Sequence, residues 1–80
     1  LGGTLDVFPV PATDNLHVIW IGPTVDNAFV VVRDAAGRNV MSTPVGQRDV
    51  LDISNLSSGS YMLEYTIPAR GQIQRRILVQ

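Results

Sequence analysis

The sequence has no cysteine and no lysine, and only five of its 80 residues are aromatic. Without cysteine there is no disulfide, no thiolate nucleophile and no thiolate metal site. Six arginines against seven acidic residues give a net charge of −1, which offers no general attraction to phosphate backbones or anionic membranes. The composition therefore argues against a nucleic-acid partner.

Long apolar runs are missing as well. No apolar stretch reaches the roughly 20 residues of a membrane-spanning helix, so the sequence predicts no membrane insertion. It begins Leu1-Gly2-Gly3-Thr4, without methionine and without the basic and apolar regions of a signal peptide. We therefore expect a fragment of a longer protein, in which Leu1–Thr4 are the end of a linker and residues 1–80 form a single domain.

Apolar residues alternate with period 2 over short stretches, which clusters of proline, glycine, asparagine, aspartate and serine separate. This spacing is typical of β-sandwiches, and no stretch repeats with the period of a helix. The sequence thus predicts an all-β, immunoglobulin-like β-sandwich of about seven antiparallel strands with Greek-key connections. The predicted strands are Leu5–Phe8, Leu16–Ile21, Ala28–Arg33, Arg38–Ser42, Asp49–Ile53, Ser60–Ile67 and Ile73–Val79.

The segment Asp34-Ala35-Ala36-Gly37 has the residues of a tight turn. An aspartate at its start accepts hydrogen bonds from the amides that follow, and a glycine at its end adopts positive φ without a steric clash. We therefore predict a hairpin in which Val30, Val32 and Val40 meet on the core side.

The segment Leu56-Ser57-Ser58-Gly59-Ser60-Tyr61 resembles the tyrosine corner of Greek-key sandwiches. In such a corner the tyrosine ring packs inside and its hydroxyl returns to a backbone group a few residues upstream. Strand alternation then places Leu63 and Tyr65 on the core side with Tyr61, and predicts that Glu64 lies on the solvent side.

Candidate chemistry is sparse. A Ser-His-Asp triad would need His17, the only histidine, but no nucleophile elbow or glycine-rich loop lies beside it. We predict no catalytic residue, no cofactor and no enzyme activity. Four oxygen-bearing residues would suit calcium: Asp14, Asn15, Asp26 and Asn27. Their spacing matches no established calcium-binding loop, so we interpret them as turn residues and predict no metal site.

Four blocks together resemble one protein family. The first, Val7-Phe8-Pro9-Val10-Pro11-Ala12-Thr13-Asp14-Asn15-Leu16, is similar to the opening motif V-Y-P-N-P-A-x-D-x-L of the type IX, or Por-type, C-terminal sorting domains. Phe8 and Val10 depart from the family's tyrosine and asparagine. The other blocks follow in the family's order and extend the resemblance over nearly the whole chain: residues 30–40, 51–61 and 75–80.

The resemblance implies a signal that directs a cargo protein across the outer membrane of a Gram-negative bacterium, by way of the periplasm, to the cell surface or the medium. The implied partners are the type IX translocon, an upstream cargo domain and, for many cargoes, a sortase-like surface peptidase. The resemblance also implies that the terminal strand is recognised by the translocon, through residues Arg75, Arg76, Ile77, Leu78, Val79 and Gln80. The motif turns add Pro9, Pro11, Asp14, Asp34, Gly37, Gly59 and Tyr61.

Other interpretations are open at this point. Trp20 and Phe8 would form the aromatic platform of a carbohydrate-binding or adhesive module, although rings in so small a domain usually belong to the core. A fibronectin-type spacer is a further alternative. Arg75 and Arg76 would also protect a sheet edge. An exposed terminal strand is compatible with a monomer or with a strand-exchanged dimer.

Overall fold

The computed structural model describes residues 2–80, so Leu1, placed by the sequence in a linker, lies outside the described residues. Within this range the chain forms strands and connecting turns. The strands are β1 (Thr4–Phe8), β2 (Asn15–Ile21), β3 (Phe29–Arg33), β4 (Asn39–Pro44), β5 (Arg48–Asp52), β6 (Gly59–Ile67) and β7 (Gly71–Val79).

The strands form two antiparallel sheets, one in the order β1-β2-β5 and the other in the order β4-β3-β6-β7. The predicted all-β sandwich of seven strands is thus confirmed. β2 is central in its sheet, as its apolar residues on both faces indicate. In immunoglobulin constant-type domains the fourth strand joins the sheet of the first two, whereas here β4 pairs with β3. β7 lies at the edge of the four-stranded sheet, with one side paired to β6.

The core lies between the sheets and follows from the period-2 pattern. Trp20 and Tyr65 stack at its centre with ring centroids 5.8 Å apart. Both polar atoms are satisfied, because Trp20 Nε1 donates to the carbonyl of Pro23 at 2.8 Å and the Tyr65 hydroxyl donates to the carbonyl of Gly46 at 3.3 Å. Burial raises the pKa of Tyr65, since the phenolate is poorly solvated there.

The two predicted turns are present. The Asp34 carboxylate accepts hydrogen bonds from the amides of Ala36 at 3.0 Å and Arg38 at 2.9 Å, and Gly37 has φ +87°. The hydrogen bond from the Arg38 amide is the main reason that the pKa of Asp34 lies below its usual value. The Tyr61 hydroxyl donates to the carbonyl of Ser57 at 2.6 Å, which is the predicted tyrosine corner.

The hairpin differs from the prediction at Val40, which is 40% exposed and does not join Val30 and Val32 in the core. The register shifts after Val32, which pairs with Met41, while Arg33 pairs with Asn39. Val40 is therefore the extra residue of a β-bulge, and a bulge moves the following side chains to the other face. Met41 packs against the core instead.

Glu64 also differs from the prediction, because only 8% of the residue is exposed. It lies on the outer face of the four-stranded sheet, as alternation requires, but neighbouring side chains cover it. Arg33 Nε donates to its carboxylate at 2.6 Å and Gln74 Nε2 donates to it at 3.3 Å. The Arg33 hydrogen bond is the main cause of a pKa of Glu64 below its usual value.

Candidate recognition surface

The strand registers divide the sandwich into two ends. Phe8 pairs with His17 and Val79 pairs with Gly59, so the segments that follow β1 and β7 lie at one end. Thr4 pairs with Ile21 at the other end. We call the first the motif end; it contains residues 9–14, the turn 34–38, the loop 53–58 and the final residues of β7. Thr4, where the preceding chain enters, lies at the opposite end.

At the motif end, the proline-rich segment pairs with the terminal strand. The Ala12 amide donates to the carbonyl of Leu78 at 2.8 Å, and the Gln80 amide donates to the carbonyl of Ala12 at 2.8 Å. These two bonds make a short parallel bridge between Ala12 and Val79. Pro9 and Pro11 are exposed beside it, and because proline lacks an amide hydrogen, they leave the pairing to Ala12.

The side chains of β7 divide between the two faces of its sheet. Ile77 and Val79 are buried in the core, with Ile73 packed partly against it, so this face closes the sandwich as predicted. Leu78, on the other face, is 41% exposed. Arg75, Arg76 and Gln80 are exposed.

The motif turns meet beside β7. The turn at Asp34 and Gly37 lies next to Tyr61, and with Arg33, Met62 and Arg76 it lines a shallow depression of about 420 Å³. Gly59 opens β6 opposite Val79, which closes β7. The depression is open and lies on the outer face of the four-stranded sheet. The turn at Asp34 and Gly37 thus lies on one surface with Tyr61 of β6 and Arg76 of β7.

Asp14 secures the other side of this end through its backbone. Its carbonyl accepts a hydrogen bond from the Ile53 amide at 2.8 Å. Next to Ile53, the Asp52 carboxylate accepts hydrogen bonds from the hydroxyl of Ser54 at 2.6 Å and from its amide at 3.0 Å. The hydroxyl contributes most to a pKa of Asp52 below its usual value. These contacts fix the loop that leads into the tyrosine corner.

The residues of the alternative functions are not brought together in one site. Trp20 is 3% exposed and its ring is stacked on Tyr65, so it presents no platform with Phe8. Phe8 instead stacks on His17 at 5.0 Å. Asp14 precedes β2, whereas Asp26 follows it, so the two lie at opposite ends of the strand. Within residues 2–80 no three histidine, aspartate or glutamate side chains are grouped as metal ligands.

The family model described as "Secretion system C-terminal sorting domain" matches residues 6–80. The chain belongs to this type IX secretion sorting domain family. A search of curated proteins finds no match. In the residues that the structure describes, no helix has the length and apolarity to cross a membrane.

The sorting domain is the C-terminal signal by which the type IX machinery exports an upstream cargo protein to the cell surface or the extracellular space. Membership favours this function over a carbohydrate-binding module. Two long-range contacts of the domain were missed in the sequence. The Ala12 pairing has no local signal, because it joins residues 66 or more positions apart. The link between Arg33 and Glu64 spans 31 positions and depends on strand order.

Proposed function

We propose that the secretion machinery recognises the sorting domain at its motif end, through the final residues of β7 and the turns that frame them. The residues that contribute are Pro9, Pro11, Asp14, Asp34, Gly37, Gly59, Tyr61 and Arg75–Gln80. The role of the domain is to be bound, with no catalysis of its own.

One observation carries the proposal: the motif end lies opposite Thr4, where the upstream cargo joins the domain. A partner that binds the motif end is therefore not obstructed by the cargo. The same end presents exposed Val10 and Leu78 to solvent beside the Ala12 pairing. Exposed apolar residues beside a rigid backbone are typical of interaction surfaces.

The position of the cargo tests the proposal. A reporter enzyme is fused either before Leu1 or after Gln80, through the same flexible linker, and its surface activity is measured in a bacterium with a type IX system. We expect export from the first fusion and little from the second, because the reporter then crowds the motif end. Thermal unfolding of both purified fusions checks that the domain is folded. Equal export from both fusions would contradict the proposal, and is also what a structural spacer predicts.

A truncation provides a second test. Removal of Arg75–Gln80 from the upstream fusion deletes Ile77 and Val79 from the core and exposes the edge of β6. Export should be lost. If the truncated fusion still reached the cell surface, the proposed recognition of the terminal strand would be wrong.

We also propose that the domain folds in the periplasm and is recognised there in its folded form. A sortase-like surface peptidase would need an extended segment, so we place its cleavage before Gly3. Any Cβ at Gly3 would overlap the Trp20 ring, and Thr4 is paired with Ile21. Mass spectrometry of the released cargo would locate the cut; cleavage within β1 would contradict this placement.

A further inference from the structure

Within residues 2–80, the outer edge of β7 pairs with no further strand apart from the single bridge to Ala12. The Leu78 carbonyl accepts a hydrogen bond from the Ala12 amide, so it points away from β6. Backbone groups of alternate residues in a strand point the same way, so the amides and carbonyls of the even-numbered residues of β7 point away from β6. The pairing of β6 with β7 continues from Val79 to Gly71 without a register shift. The amides and carbonyls of Gln72, Gln74 and Arg76 therefore face outward, and Ala12 occupies only the end of this edge.

The two arginines of β7 lie on opposite faces at the middle of this edge. Arg75 pairs with Leu63 and so points to the core side, whereas Arg76 pairs with Met62 on the outer face. Within residues 2–80 neither arginine has an acidic partner in an ion pair. From residue 70 to residue 80 the chain has three arginines and no acidic residue. An approaching strand thus meets positive charge on both faces.

One of these arginines covers the edge itself. Arg75 Nη1 donates to the carbonyl of Gln74 at 2.9 Å, which is one of the outward backbone acceptors. Charged side chains that point inward at a sheet edge oppose pairing with another copy of the chain. A second copy would also bring its own arginines to this edge, and like charges directly opposite are destabilising.

We propose that this edge accepts an extended segment of the secretion machinery as an additional β-strand, and that the segment carries acidic side chains at two adjacent positions. Adjacent residues of a strand point to opposite faces, so one carboxylate would meet Arg75 and the next Arg76. Main-chain hydrogen bonds supply affinity in such strand addition and the side chains supply specificity. Arg75 would leave the Gln74 carbonyl to the added strand and pair with the partner's carboxylate.

This inference rests on the proposed function, since it names how the recognised strand is bound. Its first test is Gln74→Pro in the upstream reporter fusion. Proline removes an outward amide without removing a hydrogen bond to β6, and proline is tolerated on edge strands with the amide facing solvent. The control, Gln74→Thr, loses the same side-chain contact with Glu64 but keeps the amide. We expect lost export for Gln74→Pro and retained export for Gln74→Thr, with both proteins folded.

The second test reverses the charges. Like charges across an interface weaken binding by at least about tenfold, so Arg75→Glu with Arg76→Glu should reduce surface reporter by a similar factor. Arg75→Lys with Arg76→Lys should retain most of it. Export that is unchanged in both Gln74→Pro and the charge reversal would overturn strand addition. The proposed function would still stand if, in the same assay, a reporter placed after Gln80 failed to be exported.

The oligomeric state decides between a partner segment and a second copy. We expect the wild-type domain to be monomeric by light scattering at micromolar concentration. A dimer that Gln74→Pro converts to a monomer would show that the edge pairs with another copy of the chain, and would overturn the proposal.

Discussion

The Tyr61 hydroxyl donates to the carbonyl of Ser57, four residues upstream, at 2.6 Å. This bond fixes the loop that leads into β6, so Tyr61→Phe should lower the free energy of unfolding by about 1 kcal/mol, the usual net value of one hydrogen bond. Tyr65→Phe is the control, because its hydroxyl bond is longer at 3.3 Å. Urea unfolding measures both. A larger loss for Tyr65→Phe would contradict this ranking.

The pair of Arg33 and Glu64 makes stability depend on pH. The pKa of Glu64 is lowered in the folded protein, so its contribution is present above the ordinary value of about 4.3 and is lost as the pH falls through the lowered pKa. Glu64→Gln should be less stable than wild type at pH 7, and the difference should narrow below about pH 4. The difference in stability between Arg33→Gln and wild type should narrow over the same pH range. A difference that stays constant with pH would show that the ion pair is not responsible.

The bulge predicts opposite outcomes for two neighbouring residues. Val40→Ser should change the free energy of unfolding by no more than about 0.5 kcal/mol, as is usual for exposed positions. Met41→Ser should cost about 1 kcal/mol or more, because Met41 packs against the core. Denaturant unfolding of both variants compares them. A larger loss of stability for Val40→Ser than for Met41→Ser would mean that the hairpin is regular and that Val40 faces inward.

The approach of Gly3 to Trp20 predicts that the folded unit begins before β1. A Cβ at Gly3 would overlap the Trp20 ring and lie 2.9 Å from the Ile21 carbonyl oxygen. Gly3→Ala should therefore destabilise the domain by about 1–3 kcal/mol, the usual cost of overpacking. Gly46→Ala is the control, because a Cβ there meets nothing within 4 Å. Equal thermal stability of the two variants would place Gly3 in a flexible linker.

The features that the sequence predicted are local. The strands follow from period-2 alternation, and both the turn at Asp34 and the corner at Tyr61 depend on residues within four positions of each other. The errors arose where the pairing and register of neighbouring strands decide which side chains are covered. Val40 faces outward because the register shifts across the hairpin. Glu64 is covered because β3 brings Arg33 beside it.

The recognition surface was predicted only as separate motifs. Their order along the chain indicated the family, but nothing local indicates that Ala12 pairs with Val79 or that the motif turns share one end with it. Such an arrangement depends on which strands become neighbours in each sheet. The outward direction of the backbone at Gln74 likewise follows only from the observed pairing.

The most direct test of recognition at the motif end compares two exposed apolar residues. Leu78 is 41% exposed at the motif end and Ile21 is 55% exposed at the opposite end, so aspartate at either position should leave the fold intact. The measurement is surface reporter activity of the upstream fusion in a type IX secreting bacterium, with thermal unfolding of each variant. The account predicts lost export for Leu78→Asp and normal export for Ile21→Asp. Normal export of Leu78→Asp, or equal losses in two folded variants, would contradict it.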